Sequence, residues 1–388
     1  MALEADETSC SRLALVNRQR DLRTGSADVR VAIAHEWLVR YAGSERVVEQ
    51  LLLAFPGSPL ITTIKDTENI PAALKGADAS FLNRLPGSRR HHEWYVPLMP
   101  LSWLVRRPLV GLDAVIASSH ACANAVRVER GTPLISYCHT PIRYAWDFEA
   151  ESDRFPRVLR GGARETMALV RRWDRRMARR VTQFVANSRA VARRIEEFYG
   201  RSAIVVHPPV RTDFFTPGGM RGDRFLYVGR LTGYKRPQFV IEAFRDLPYG
   251  LDVIGDGPLL PHLRDRATPN VRFLGNVGDE VLRESYRAAR AFVYPVDEDF
   301  GIAMAEAQAC GTPVVGLASG GALDIVEPGV TGWLVGRQDL GDLQAAIRRA
   351  AGDELDGADI HERALRFSER RFRTEIRRVV HATLGDTS

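Results

Sequence analysis

Residues 294–327 read YPVDEDFGIAMAEAQACGTPVVGLASGGALDIVE. The apolar run 291–295 that leads into them has the composition of a buried strand. Three acids follow, Asp297, Glu298 and Asp299, and Phe300-Gly301 then opens a helix-like run ending at Gly311. Strand, acidic loop and helix N-terminus, in that order, are the layout in which doubly wound α/β sheets bind ligands at the carboxyl ends of their strands. Glu298 falls in the loop, and Glu306, eight positions on, lies a turn or so into the helix. Carboxylates on both sides of a helix N-terminus suit a polyhydroxylated ligand. Each accepts hydrogen bonds from a pair of hydroxyls while the free backbone N–H groups face an anionic part of the same molecule.

An E-x7-E spacing alone would also fit a solvated loop beside a surface helix. Here the flanks FGI, EAQACGTPVV and SGGALDIVEPGVTGWLV accompany it, and together they resemble the signature of family 4 retaining glycosyltransferases, the largest group with the GT-B fold. The resemblance implies an α/β protein of two Rossmann-like domains facing across a cleft, with a C-terminal helix crossing back to the first domain. It implies that Glu306 binds the ribose of a sugar nucleotide and that Glu298 lies by the donor hexose. Phe300, Gly301 and Ile302 line the same donor site in this reading.

The chain has 388 residues, 45% hydrophobic and 26% charged, an ordinary globular composition with room for two domains. No apolar run approaches the length needed to span a bilayer, and residues 1–28 lack the apolar core of a signal peptide, so the expected location is cytoplasmic. Cys10, Cys122, Cys138 and Cys310 lack metal-ligand spacing and read as free thiols. The net charge of +6 is uneven: residues 1–200 carry 30 Lys/Arg against 22 Asp/Glu, and residues 201–388 carry 24 against 26. The first half should therefore meet the anionic partner. Without a nucleic-acid module or interleaved aromatics, that partner is not nucleic acid; an anionic membrane surface, touched peripherally, or a pyrophosphate-linked acceptor fits better.

Along the chain, residues 1–28 read as a flexible polar extension, 29–207 as an acceptor-binding domain, 208–365 as a donor-binding domain, and 366–388 as the helix packing back on the first. VRVAIA, 29–34, followed by a turn and YAGSERVVEQLLLAF, is a strand, turn and helix whose Gly43 would let a phosphate approach the backbone. The family carries two glycines and an acid in this loop; Ala42-Gly43-Ser44-Glu45 keeps one glycine and the acid. Residues 86–108 place Trp94, Tyr95, Leu98, Leu101, Trp103 and Leu104 between arginines, a composition shared by interfacial segments and by core packing. DAVIASS, 113–119, and PLISYCH, 133–139, read as buried strands, the second ending in His139. YCHTPIRYAWD resembles the bacterial mannosyltransferase branch of family 4, which implies His139 beside the donor sugar and the acceptor oxygen, with Arg143, Tyr144 and Asp147 on the acceptor side.

Arg171–Arg180 carries six arginines and reads as a solvated helix face over a buried seam of Trp173 and Met177. In GRLTGYKRP, Arg230 and Lys235 flank a glycine turn before a helix, and their charges can converge on one pyrophosphate, a match to the family's phosphate clamp. Residues 274–277, with Leu274 and Val277, are implied to meet the nucleobase, and residues 340–351 and 361–384 read as helical. The catalytic set implied by the resemblance is His139, Glu298, Arg230 and Lys235. It implies retention of configuration by front-face attack, with Glu298 positioning the donor, no cofactor and no required metal, although DED superficially resembles a metal-binding DxD. The favoured co-substrate is GDP-mannose and the acceptor a saccharide or lipid-linked glycan. The alternatives are a UDP-hexose donor or a sugar-nucleotide epimerase of the same fold.

Overall fold

The computed structural model describes residues 29–146 and 160–385, the side chains of Tyr144 and of residues 160–164 excepted. The extension 1–28 and Asp147 lie outside the described residues. Seven parallel strands form the first sheet: β1 (Val31–Leu38), β2 (Leu60–Lys65), β3 (Asp78–Ala79), β4 (Ala114–Ser119), β5 (Leu134–Cys138), β6 (Gln183–Ala186) and β7 (Ala203–Val205), in the order β3-β2-β1-β4-β5-β6-β7. Six more form the second: β8 (Phe225–Val228), β9 (Leu251–Ile254), β10 (Val271–Gly275), β11 (Phe292–Tyr294), β12 (Val314–Leu317) and β13 (Gly332–Val335), in the order β10-β9-β8-β11-β12-β13. Helices cover both faces of such sheets, so their central strands are continuous apolar runs without alternation; AVIASS of β4 is buried at all six positions. Strand order reverses between β1 and β4 in one sheet and between β8 and β11 in the other, and each reversal leaves a crevice at the carboxyl ends of the strands.

The helices that shape the site are α1 (Gly43–Ala54), α2 (Arg160–Ala178), α3 (Arg189–Tyr199), α4 (Pro237–Ala243), α5 (Ile302–Ala309), α6 (Gly357–Ala364) and α7 (Glu369–Leu384). In α7, Phe372, Ile376, Val379 and Val380 recur at helical spacing and are buried with Val47, Val48 and Leu51 of α1, so the last helix does cross back onto the first domain. Residues 361–384 are not one helix. Ala364 ends α6, Leu365–Phe367 forms a turn of 3-10 helix, and Ser368 is extended. Ser368 bridges Val210 in parallel, and its hydroxyl accepts the Arg371 N–H at 3.3 Å, which starts α7 afresh.

Two other expectations are corrected in detail. β1 does not stop at Ala34: it continues through His35, Glu36 and Trp37 to Leu38, because His35 finds a partner in Ser118 of β4 and Glu36 in the loop after it. Residues 86–108 divide between the two readings, with Trp103 fully buried and Trp94 73% exposed alongside Leu98, Leu101, Leu104 and Val105.

Candidate active site

The acidic loop between β11 and α5 is braced from below. Gly321 donates its N–H to the Glu298 carbonyl at 2.8 Å, and a Cβ on Gly321 would lie 2.1 Å from the Phe300 carbonyl oxygen. Only glycine fits there. On this platform the three acids diverge. Glu298 accepts from the Tyr294 hydroxyl at 2.8 Å and forms an ion pair with Lys235; Asp299 pairs with Arg194 of α3 and lies 3.9 Å from Arg143. Among the described residues no group of three or more His, Cys, Asp or Glu is arranged to hold a metal ion. Burial, then the Arg143 guanidinium, push the Lys235 ammonium down to about 8, while Asp299 opposes that shift. Arg230 is exposed and makes no ion pair with any described residue, so of the two clamp cations only Lys235 is engaged with protein carboxylates.

Glu306 is buried just past the middle of α5. Burial raises its carboxyl, and Arg46 opposes this with a 2.7 Å hydrogen bond; the Tyr286 hydroxyl donates to its other oxygen at 3.4 Å. Arg46 belongs to α1, so this pair closes the cleft between the domains, as do Arg194–Asp299 and the Arg189 pair with Asp324. Gly43, at the start of α1, stands where an added Cβ would be 2.7 Å from Ile302 Cδ1 at the start of α5. The two helix N-termini thus face each other. Gly301 serves as the N-cap of α5 without any side-chain cap, leaving first-turn N–H groups for a ligand. Phe300 is buried, stacked on His207 at 5.4 Å. Leu274, 44% exposed, and the half-buried Val277 lie at the carboxyl end of β10 and just beyond.

In the first domain, His139 directly follows β5. Its N–H donates to the Ser119 carbonyl at 2.9 Å, its carbonyl accepts from Asn187 Nδ2 at 2.9 Å, and Ser118 Oγ lies 2.8 Å from its Nε2. Burial, then the neighbouring His120 and His35 rings, hold its imidazole well below the ordinary range, so it is neutral at pH 7. His35, His120 and His139 have ring centroids 5.9–6.4 Å apart. Beneath them the buried Glu36 carboxylate accepts backbone N–H groups from His120, Ala121, Cys122 and Ala123 at 2.9–3.2 Å and the Ser119 hydroxyl at 2.9 Å. Burial raises that carboxyl, but His120 and these N–H groups outweigh it and the net direction is down. Glu36 therefore fastens β1 to the loop after β4 and fixes the floor on which the histidines stand.

The structure brings together Glu298, Lys235, Glu306, Gly43, Ile302 and Arg143 at the domain junction. Of Tyr144 only the backbone is described. Sequence reasoning missed Arg46, Arg194, Glu36, His35 and Ser118. The signal for His35 and Glu36 is two polar residues continuing an apolar strand, a pattern that in sequence reads as the end of the strand. The arginines belong to ordinary amphipathic helix faces, and nothing in their local spacing points across a cleft.

Two facing parallel-sheet domains with a loop and helix N-terminus at their junction define the architecture of the GT-B fold. The chain's residues 43–214 match the family model described as Glycosyltransferase Family 4, and residues 222–353 match Glycosyl transferases group 1. Among curated proteins it is 36% identical over 221 residues to the D-inositol 3-phosphate glycosyltransferase of Geodermatophilus obscurus, covering 48% of this chain and 49% of that one. It is 35% identical to the protein of the same name from Mycolicibacterium smegmatis, covering 41% and 43%. The chain thus spans about half the length of the curated relatives it matches. Among solved structures, sucrose-phosphate synthase from Thermosynechococcus elongatus superposes with a TM-score of 0.73 at 18% identity, covering 92% of this chain and all of that one. Anabaena Alr3699/HepE in complex with UDP and glucose gives 0.66 at 16%, covering 91% and all of it. These structural likenesses establish the fold.

Proposed function

We propose that the protein transfers a hexose, with retention of configuration, from a nucleoside-diphosphate sugar held on the second domain to an acceptor held on the first. The observation that carries this reading is the convergence of Glu298, Lys235 and Glu306 around the N-terminus of α5, which faces the N-terminus of α1. Glu306 meets the ribose, and Glu298, seated by Tyr294, orients the hexose. Lys235, Arg230 and the first-turn N–H groups of α5 stabilise the charge that grows on the departing diphosphate. The leaving phosphate itself takes the acceptor proton on the front face, so Glu298 needs no nucleophilic role.

The donor in this proposal is GDP-mannose, on the strength of the likeness of YCHTPIRYAWD and DEDFGI to mannosyltransferases. A UDP-hexose is the second reading, and the UDP bound by Alr3699/HepE favours it. The curated relatives' name, with its inositol phosphate, supports a small polyol phosphate as acceptor beside the glycan or lipid-linked saccharide. Arg143 lies on that side, and the exposed Trp94, Leu101 and Val105 among Arg84, Arg89, Arg90 and Arg107 form the face for peripheral membrane contact.

Thermal stabilisation against GDP, UDP and their sugars, without added metal, tests the reading. A nucleotide at a hundredfold its Kd adds about 2.7 kcal/mol, and that gain should vanish in Glu306→Ala and Lys235→Ala. Selective response to UDP compounds transfers the donor assignment; no response to any nucleotide rejects the site. Consumption of the donor without an acceptor, giving an isomeric sugar nucleotide, identifies an epimerase instead.

A further inference from the structure

His139 touches a hydrogen-bond chain that its assigned role does not use. The chain runs from His35 to Ser118 on β4 and then to His139, with the Glu45 carboxylate at the start of α1 beside His35 but outside hydrogen-bond reach. His35 Nε2 lies 3.7 Å from Glu45 Oε1; His35 Nδ1 lies 3.1 Å from both the carbonyl and the hydroxyl oxygen of Ser118; Ser118 Oγ lies 2.8 Å from His139 Nε2. His35, Ser118 and Glu45 are all buried.

The directions of these bonds follow from what each atom can do. A carbonyl oxygen only accepts, so the contact between His35 Nδ1 and the Ser118 carbonyl is a hydrogen bond only if Nδ1 carries a hydrogen. With Nδ1 so protonated, the Ser118 hydroxyl cannot donate to that nitrogen. The one other acceptor within its reach among the described residues is His139 Nε2. If Nε2 carried the proton instead, two donors would converge on Ser118 Oγ and a buried hydroxyl hydrogen would have no acceptor, which costs about 1–3 kcal/mol.

We propose that Ser118, oriented by His35, is a positioning residue that fixes neutral His139 as the Nδ1–H tautomer. Nδ1 makes no hydrogen bond to any described residue, so it is the nitrogen left for substrate. His139 then offers an N–H donor to a sugar or acceptor oxygen and has no basic nitrogen free to take a proton. That matches a reaction in which the leaving phosphate removes the acceptor proton, and in this respect the inference rests on the function proposed above. His120 and Tyr137, with ring centroids 6.0 and 5.2 Å from that of His139, wall the ring without competing for Nε2.

The test is a long-range 1H–15N correlation spectrum of the full chain labelled with 15N-histidine, the His139 signals being those lost in His139→Asn. Nε2 is recognised because it couples to both carbon-bound ring protons. A pyridine-like shift at Nε2 with a pyrrole-like Nδ1 is expected, lost in Ser118→Ala and kept in Ser118→Thr. A pyrrole-like Nε2 in the wild-type protein overturns the inference, whatever nucleotide binding shows. In turnover, Ser118→Ala should lower kcat roughly tenfold with donor KM little changed, the size of one hydrogen bond made in the transition state, and Ser118→Thr should restore it. Unaltered kcat in Ser118→Ala also overturns it. Because the spectrum needs no ligand, failure of every nucleotide to bind would reject the proposed function and leave the tautomer result standing.

Discussion

A single added methyl tests the platform under the acidic loop. Gly321→Ala places Cβ against the Phe300 carbonyl, backbone on backbone, with no flexible side chain to give way. The expected cost is about 1–3 kcal/mol in urea unfolding, with loss of nucleotide-dependent stabilisation because Glu298 shifts with the loop. Asp174 is a residue whose sequence context misled. It sits within six arginines and reads as a surface charge, yet it is buried, accepting from Trp146 Nε1 at 2.7 Å and the Tyr199 hydroxyl at 2.6 Å. Burial, opposed by those bonds, raises its carboxyl from 3.8 to about 6. Below pH ~4 both folded and unfolded chains hold this proton, and above that the unfolded chain loses it first, so stability falls as pH rises through about 6. The displacement corresponds to ~3 kcal/mol. Between pH 4 and 7, Asp174→Asn should gain about that much relative to wild type in denaturant unfolding; parallel pH curves would refute the assignment. Residues of the acidic loop and clamp were readable because their chemistry is local. Arg46, Arg194 and Asp174 were not, since their partners come from distant parts of the chain.

At the scale of elements, periodicity carried far. The strand, turn and helix at residues 29–54, the strand before the acidic loop and the final amphipathic helix all follow from runs of like spacing. What periodicity could not show was the interruption at Leu365–Ser368, because Ser368 is pulled out of helical geometry by Val210, more than 150 positions earlier in the chain. The seam between α7 and α1 supplies the corresponding prediction. Phe372 is buried and meets Tyr137 edge-to-face with centroids 5.6 Å apart. Phe372→Ala should cost about 3–5 kcal/mol, read as a lower urea midpoint, and the loss should appear in probes of the first domain. A loss confined to the second domain would show that the helix belongs elsewhere energetically.

For the whole molecule, the cleft is held by charge. Arg46–Glu306 and Arg194–Asp299 connect the domains through partly buried pairs. The double variant Arg46→Met with Arg194→Met should therefore show a larger radius of gyration by small-angle scattering at physiological salt. The wild-type protein should approach the same value near 1 M salt, where the screening length is about 3 Å. Identical scattering from both proteins at low salt would mean that the pairs do not control closure.

The return of α7 to the first domain also bears on how the protein can be divided. Cutting between the domains near residue 207 would leave an N-terminal fragment with Val47, Val48 and Leu51 stripped of the cover that Phe372, Ile376 and Val380 provide. That fragment is a receptor lacking its own peptide. A synthetic peptide of residues 368–385, supplied in trans, should bind it and raise its melting temperature, and the Phe372→Ala peptide should do so poorly. The smallest autonomous unit of the first domain is then a two-piece assembly drawn from distant parts of the chain.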